Sequence, residues 1–419
     1  MVQRYDKVVY TRGLITAIWL VDAVGNIVRQ ILAFFSPFWR QGQPFLPPRR
    51  LLVLRTEQIG DVLLTTPALR ALRESFPDAY IAALVQKMTA PLLQTNPHLD
   101  EVIACSLPWC DRDRHPIQIR HPLRRRLASI GYHWRCLKTA MQVGAQLRKR
   151  RFDVAISFGG HPYDLLLIAI AGCPVRIASP VTGGAFLLTH MTFPDEGRHE
   201  VERCLDIVAL IGAQATDRRL VLRWTPDDEA VVTRKLQEHG IKEKDFLVAI
   251  HSFSVEPSRN WRVDCWASVA QALIRKWGAT VLFVGSSKDR EKVAEIQRVM
   301  GSPSVNLCGE LSLLQLGALF ERCALMIGVN SAPAHIAAAV GTPVVSVWSS
   351  AYRPEKWAPP APVRRIVAKS VPCADCRLMT CPLPVSCMDM ITPEEVIAAV
   401  EEVLSHCRRE KHSLGGQNA

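Results

Sequence analysis

Short apolar runs recur along the chain and alternate with stretches whose apolar residues follow helical spacing. A continuous apolar run bounded by polar loops is typical of a strand buried on both faces of a parallel sheet. Strands separated by helices in this way predict βαβ units. The runs that predict strands are LLVLR (51–55), IAALV (81–85), EVIAC (101–105), FDVAISFGG (152–160), FLVAIHSFS (246–254), TVLFVGSS (280–287), ALMIGV (324–329) and PVVSVWSS (343–350). We therefore predict an α/β fold with two Rossmann-like domains.

The loop after the first run, TEQIGD (56–61), carries the first candidate chemistry. The carboxyl ends of parallel strands are where ligands bind in such sheets. Gly60 lets a substrate approach the backbone, and Asp61 is either a helix cap or a catalytic base. Spacing alone slightly favours the cap. Because Pro67 falls inside the helical pattern that follows, we expect the helix to begin near that proline.

A longer apolar segment, residues 14–35, precedes the first domain. Asp22, Asn26, Arg29 and Gln30 interrupt it at spacings that share one helical face. A helix lying in a membrane interface fits this pattern, a helix packed on the protein's own body is the alternative, and a true membrane span fits less well. The predicted segments are an amphipathic helical extension and linker (1–48), an N-terminal acceptor domain (49–215), a C-terminal nucleotide-sugar domain (216–405) and a disordered tail (406–419).

Composition changes this picture mainly through charge. The chain has 419 residues, enough for two domains, and a net charge of +12. Such a surplus suggests a phosphate-bearing substrate, acidic lipid headgroups or nucleic acid. Twelve of the basic residues lie within 109–151, where aromatic residues are few, so a base-stacking platform is poorly supported. We predict no nucleic-acid partner.

The cysteines bear on compartment and metal binding. There are 13, an odd number, without a convincing secretory signal, which indicates reduced thiols in a cytoplasmic protein. Four of them, Cys373, Cys376, Cys381 and Cys387, lie close enough in sequence to form a zinc site. Their spacing is not the paired C-x2-C pattern, and we predict that no metal is bound.

The segment NSAPAHIAAAV (330–340) follows a predicted strand and begins a helix. Free backbone N–H groups at such a point can hold a phosphate, and a histidine one turn later can donate to a phosphate or a sugar hydroxyl. This is the functional interpretation of Asn330, Ser331 and His335. The alternative is that the first two cap the helix and the histidine packs near its start.

Together these segments resemble glycosyltransferase family 9, the lipopolysaccharide heptosyltransferases. The resemblance spans about 51–404. It is carried by RTEQIGDVLLTTPALRALRESFPDAYIAALV, RHEVERCLDIVALIG, SRNW, GSSKDRE, GVNSAPAHIAAAVGTPVVSVW and CMDMITPEEVIAAVEEVL. It implies a GT-B fold, with the active cleft between two Rossmann-like domains. It also implies inverting, metal-independent transfer of a heptose from ADP-heptose to a lipopolysaccharide core, with no required cofactor, at the inner-membrane surface.

The same resemblance assigns residues. Asp61 matches the presumed base, and Gly60 and Thr65 are assigned to the acceptor side of its loop. Donor contacts are assigned to Arg259, Asp289 (with Glu291 a weaker choice), Asn330, Ser331 and His335. Two positions depart from the family pattern: Asn330 replaces an aspartate, and residues 251–254 lack the usual glycine, so that Phe253 is expected to crowd a phosphate. These departures motivate a second hypothesis, a non-catalytic nucleotide-sugar or glycolipid-binding protein that retains the fold.

Overall fold

The computed structural model describes residues 12–35, 47–110, 122–180, 183–193, 195 and 197–415. The chain divides into two compact units, Met1–Arg218 and Arg219–Ala419. Part of the basic segment, 111–121, lies outside the described residues, as does 416–419. Each unit is built around one parallel sheet of six strands, so the predicted two-sheet α/β architecture is confirmed.

In the first unit the strand order is β3-β2-β1-β4-β5-β6, the doubly wound order of a Rossmann-like sheet. Its central strands are buried along nearly their whole length, which explains why they appear in the sequence as continuous apolar runs. The strands are β1 Arg50–Arg55, β2 Tyr80–Gln86, β3 Glu101–Cys105, β4 Val154–Ser157, β5 Val175–Ala178 and β6 His190–Met191. The helices are α1 Arg12–Phe35, α2 Ile59–Ser75, α3 Pro91–Gln94, α4 Pro122–Arg148, α5 Pro162–Ile170 and α6 Glu200–Ala209.

The second unit repeats this plan with the order β12-β11-β10-β7-β8-β9. Its strands are β7 Leu247–His251, β8 Thr280–Phe283, β9 Val305–Asn306, β10 Leu325–Val329, β11 Val344–Val347 and β12 Arg364–Val367. Its helices are α7 Pro226–Glu238, α8 Val263–Trp277, α9 Arg290–Met300, α10 Leu313–Arg322, α11 Ala332–Ala339, α12 Pro354–Trp357 and α13 Pro393–Gly415. Gly278 ends α8 with a φ of 63°, a left-handed conformation that favours glycine.

The helix α2 begins at Ile59, eight residues earlier than the sequence predicted, and Pro67 lies inside it. A proline has no N–H, so the carbonyl of Leu63 four residues back loses its usual donor. The Thr66 hydroxyl donates to that carbonyl at 2.7 Å. Because the Thr66 hydroxyl takes the place of the missing N–H, the helix continues through the proline. The predicted start near Pro67 was wrong.

The last helix, α13, extends past the domain boundary predicted at 405 and reaches Gly415. Leu404 is buried, and Cys407 packs against the core of the second unit. Residues 406–415 are therefore helical in the structure, where a disordered tail was predicted. Partial burial of Cys407 ties the first turn after Leu404 to the core.

The N-terminal helix α1 packs on the 3₁₀ turn Ala185–Leu187 with its polar side inward. The Gly184 N–H donates to Asp22 Oδ1 at 2.8 Å, and a Cβ at Gly25 would lie 2.5 Å from the Phe186 ring. Apart from Gln30, the exposed residues within 20–34 are apolar: Leu20, Val21, Val24, Ile27, Val28, Ile31, Leu32 and Phe34 are 36–83% exposed. Within the residues that the structure describes, the helices lack the combination of length and hydropathy that a membrane span requires.

Candidate functional site

The carboxylate of Asp61 lies at the start of α2, directly after the loop that follows β1. Its Oδ2 accepts the Gln58 N–H at 3.0 Å, and its Oδ1 lies 3.2 Å from Arg55 Nη2. The side chain is 19% exposed. Asp61 therefore does cap the helix, and one oxygen edge still faces a positive charge and solvent. The cap and the base are compatible roles, since the N–H holds the carboxylate in one orientation.

Behind Asp61 lies a buried ion cluster that the sequence did not predict. Arg55 Nη2 donates to Glu200 Oε1 at 2.7 Å, and Arg203 Nε donates to Glu200 Oε2, also at 2.7 Å. Burial alone would raise the pKa of Glu200, but the Arg203 and Arg55 guanidiniums lower it to about 2. Arg55 thus links a permanently charged anchor to Asp61. The only sign of this ion cluster in the sequence is the i, i+3 spacing of Glu200 and Arg203.

Thr65 does not reach the acceptor side of the loop. Its hydroxyl donates to the Asp61 carbonyl at 2.9 Å and lies 3.7 Å from Cys204 Sγ, and the residue is 2% exposed. The predicted acceptor role fails because one helical turn after Asp61 the side chain faces the interior, toward α6. Gly60 sits in the first turn of α2, beside Asp61.

In the second unit, Arg259 is the last residue of a 3₁₀ turn, Pro257–Arg259. Its Nη1 donates to the Asn330 carbonyl at 3.0 Å, its Nη2 lies 2.8 Å from Glu256 Oε2, and its guanidinium stacks 4.0 Å over the Tyr352 ring. The Tyr352 hydroxyl in turn donates to Glu256 at 2.7 Å. Arg259 is therefore held rigidly by Glu256 and Tyr352, two residues that the sequence analysis did not select.

Between residues 252 and 259, which follow β7, three buried polar atoms lack a hydrogen-bond partner within the described part of the chain. They are Arg259 Nε, Ser252 Oγ and Ser258 Oγ. Buried donors left unpaired are costly, so a cluster of them at the carboxyl end of a strand points to a ligand. An N–H and two hydroxyls beside a positive charge suit phosphate oxygens.

The predicted residues Asn330 and Ser331 lie where β10 passes into α11. Asn330 Oδ1 accepts the Ser349 N–H at 3.2 Å, and Ser331 Oγ lies 2.9 Å from His251 Nδ1. Burial lowers the pKa of His251 to about 4, against a smaller opposing effect of Asp289, so its ring is neutral at pH 7. His335 is buried one turn into α11. The structure thus brings together Arg259, Asn330, Ser331 and His251.

Asp289 lies in the loop after β8, where its Oδ2 accepts the Ser286 N–H at 2.9 Å and the Ser286 hydroxyl at 2.6 Å. Glu291 is exposed at the start of α9. The ring of Phe253 turns into the core, at 7% exposure, with Lys292 Nζ 5.3 Å above it. The expectation that this ring crowds a phosphate is therefore wrong, because the ring packs in the core of the second unit.

The cysteine segment lies against the same edge of the second unit. The Ser258 N–H donates to the Met379 carbonyl at 3.0 Å, and Cys387 Sγ lies 3.7 Å from Ser349 Oγ. Among the described residues, which include Cys373, Cys376, Cys381 and Cys387, no group of three or more histidine, cysteine or acidic side chains is arranged to hold a metal ion.

Comparison with known proteins finds lipopolysaccharide heptosyltransferases among the similar sequences. Lipopolysaccharide heptosyltransferase 3 of Escherichia coli is 27% identical over 303 residues, covering 70% of this chain and 81% of that protein. Lipopolysaccharide heptosyltransferase 2 of Salmonella typhimurium is 24% identical over 317 residues, covering 71% and 82%.

Solved structures show the same fold. A family 9 glycosyltransferase from Veillonella parvula superposes with a TM-score of 0.69 at 21% identity, covering 85% of this chain and 97% of that one. ADP-heptose lipopolysaccharide heptosyltransferase II of Escherichia coli gives a TM-score of 0.65 at 19% identity, covering 86% and 99%. The sequence model of glycosyltransferase family 9 (heptosyltransferase) matches residues 140–386, more than half of the chain. The chain therefore belongs to glycosyltransferase family 9, the heptosyltransferase family.

Proposed function

We propose that this protein is an inverting, metal-independent glycosyltransferase that moves a heptose from a nucleotide sugar, ADP-heptose, to a lipopolysaccharide core or a related glycolipid. The observation that carries the proposal is the Asp61 carboxylate, oriented by a backbone N–H and faced by Arg55. Family membership supports it, as do solved heptosyltransferases described with ADP and with an ADP-heptose analogue. The nucleotide sugar is a substrate, and no further cofactor enters the proposal.

In this mechanism Asp61 accepts the proton of the acceptor hydroxyl as its oxygen attacks the anomeric carbon. The bond between that carbon and the diphosphate oxygen breaks, and the electron pair leaves with the nucleoside diphosphate. Attack from the face opposite the leaving group inverts the anomeric configuration.

The departing diphosphate needs positive and hydrogen-bonding groups, and the second unit supplies them. Arg259 offers its guanidinium with an unpaired Nε, and Ser252 and Ser258 offer unpaired hydroxyls. The N-terminus of α11, which begins after Ser331, adds the positive end of a helix dipole. These groups do what a divalent metal does in metal-dependent transferases. From the family resemblance we assign Asp289 to the ribose, and Asn330 and His335 to the donor.

The test separates a base from a cap. Asp61→Asn keeps the side-chain shape and an oxygen for the Gln58 N–H but removes the base, so transfer should fall about 10²–10⁴-fold. Asp228 is the matched control: it has the same place in the capping box of α7, where it accepts the Thr225 N–H at 3.1 Å. Asp228→Asn should cost similar stability and leave transfer unchanged.

Transfer is read by mass spectrometry with ADP-heptose and a truncated lipopolysaccharide acceptor, within a screen of other nucleotide sugars. Turnover by Asp61→Asn above a tenth of wild type would show that Asp61 is not the base. A different sugar as the best donor would correct the substrate and leave the mechanism in place.

The second candidate, a non-catalytic binding protein that retains the fold, is favoured by one observation. Asn330, where the family has an aspartate, uses its Oδ1 on the Ser349 N–H and offers no charge to a donor. Calorimetry that detects ADP-sugar binding, with no product on any acceptor, would support this candidate. Restored transfer in Asn330→Asp would identify the missing charge as the cause.

We also propose that the protein works at the surface of the inner membrane. The support is α1, in which Asp22, Asn26 and Arg29 are half-buried while eight apolar residues are exposed, the reverse of a helix that faces water. A second stripe of exposed apolar residues lies along α4 and consists of Leu127, Ile130, Trp134 and Met141. The net charge of +12 suits anionic headgroups.

A further inference from the structure

Four aromatic rings cluster beyond the carboxyl end of β4, in the first unit. Trp109 stacks on His161 with ring centres 6.3 Å apart and a 12° interplanar angle, and it lies 5.5 Å from Tyr163. His161 and Tyr163 stack at 5.6 Å, and His133 of α4 lies 6.2 Å from Tyr163. These rings, named here the aromatic cluster, have no role in the mechanism above.

The aromatic cluster is tied to the loop that carries Asp61. Asp164 accepts both the Trp109 Nε1–H at 3.0 Å and the Thr56 hydroxyl at 2.8 Å, and Thr56 is the first residue of that loop. The backbone at Gly159 also lies against the loop, since a Cβ there would be 1.6 Å from Glu57 Oε1. The cluster and the proposed base therefore lie on neighbouring loops at one edge of the first sheet.

Exposure increases outward through the aromatic cluster. Trp109 is 7% exposed and belongs to the core, His161 and Tyr163 are half-buried, and His133 is exposed. His133 Nδ1 lies 2.8 Å from the Tyr163 hydroxyl, so hydrogen-bonding atoms lie at the edges of these two rings. A core would need only the inner ring, and a solvated face would not place three more rings against it.

This combination fits a sugar ring. A pyranose has an apolar face of C–H groups, whose positive hydrogens are attracted to the negative face of an aromatic ring. Its hydroxyls require hydrogen-bonding groups at the edge, which imidazole nitrogens and a phenol supply. A largely apolar surface with a few convergent polar groups is the usual character of a small-molecule site.

We infer that His133, His161 and Tyr163, supported by Trp109, form a subsite for a pyranose ring of the acceptor glycolipid. The subsite would hold a ring of the acceptor other than the one that is glycosylated. This inference rests on the proposed function in one respect, that the acceptor is a glycan. It adds that part of acceptor affinity comes from stacking and not from charge.

The test measures acceptor binding without donor, by calorimetry on the full chain with deacylated lipopolysaccharide core oligosaccharide. Tyr163→Leu removes the half-buried ring and should raise Kd about tenfold, while Tyr163→Phe keeps the ring, loses only the hydroxyl and should raise Kd about threefold. His133→Ala should raise Kd about threefold. Saturation-transfer NMR should place the affected sugar protons at one ring, and ADP binding should be unchanged in all three variants.

His133 is exposed, so His133→Ala decides the question if Tyr163→Leu does not fold, as judged by its thermal transition. Kd values within twofold of wild type for both variants would overturn the subsite, as would wild-type protein that does not bind the oligosaccharide. Because no turnover is measured, an active Asp61→Asn enzyme would refute the proposed base and leave this binding result unaffected.

Discussion

At the scale of single residues, the first unit concentrates buried charge next to Asp61. Arg55, Glu200 and Arg203 are 4%, 1% and 7% exposed. Buried ions are tolerated when each is paired, and removing one partner leaves an uncompensated charge. Glu200 is paired to both arginines, so it is the member whose loss matters most. Its pKa of about 2 means that this stabilisation is complete above the ordinary carboxyl pKa and is lost as pH falls toward 2.

We therefore predict that Glu200→Gln destabilises the protein by about 3–5 kcal/mol and lowers transfer, since Arg55 loses its anchor. Denaturant unfolding and transfer rates measure the two effects. The control is Glu202→Gln on the same helix, whose partners Arg218 and Arg198 are exposed; it should cost at most about 1 kcal/mol. Equal effects of the two variants would contradict a special role for Glu200.

A second buried carboxyl, Asp164, gives stability an opposite dependence on pH. Burial raises its pKa to about 7, with a further contribution from Glu57. At pH values between the ordinary pKa of 3.8 and about 7, the Asp164 carboxyl has lost its proton in the unfolded chain and keeps it in the folded chain. Folding stability from this group therefore falls as pH rises through that window, and the cost is complete above pH 7.

Asp164→Asn imitates the protonated form and removes this cost. The difference in Tm, variant minus wild type, should be several degrees larger at pH 8 than at pH 5. Each kcal/mol shifts Tm by about 2–4 °C in a domain of this size. Calorimetric scans of both proteins across this range provide the check. Melting curves that stay parallel at all pH values would show that Asp164 does not hold a proton near neutrality.

At the scale of elements, α2 shows how one residue lets a helix continue through a proline. The hydroxyl of Thr66 replaces the missing N–H at the Leu63 carbonyl, and Thr66 is fully buried. Thr66→Val keeps the shape but leaves that carbonyl without a donor, so it should cost about 1–3 kcal/mol of unfolding free energy.

The control for Thr66 is Ser268 in α8, whose hydroxyl donates to the Asp264 carbonyl at 2.9 Å. That carbonyl lies in a helix without a proline and keeps its regular N–H donor. Ser268→Ala should therefore change stability by no more than about 0.5 kcal/mol in the same urea titration. A similar loss in both variants would mean that the proline plays no part.

At the scale of the whole molecule, the sequence predicted what depends on local pattern. Strands buried on both faces must be apolar along their length, so eight of the twelve described strands were visible as runs. The short strands β5, β6, β9 and β12 were not predicted. The ion cluster was not visible, because Arg55 and Glu200 are 145 positions apart and meet only through the fold. The same holds for Trp109 and Asp164, and for Phe253, whose direction depends on the core beneath it. Local pattern selected Asp61 and the family resemblance selected Arg259, but neither indicated the groups that orient them.

Net charge and exposed apolar surface together predict the behaviour of the full chain at membranes. It should bind vesicles that contain anionic lipid more tightly than neutral ones, and added salt should weaken the binding. Apolar contact through α1 is the second contribution, so replacing Ile27 and Ile31 with aspartate should reduce vesicle binding tenfold or more, measured by sedimentation.

Val299 of α9 supplies the matched control, since it is equally apolar and 54% exposed but belongs to the second unit. Val299→Asp should bind vesicles as wild type does. Transfer to a short, water-soluble acceptor should persist in the α1 variant, because the substitutions leave Asp61 and Arg259 untouched. If the α1 variant bound vesicles as tightly as Val299→Asp, the exposed face of α1 would not contact lipid. Packing against a second chain would then explain its apolar residues better than a lipid surface.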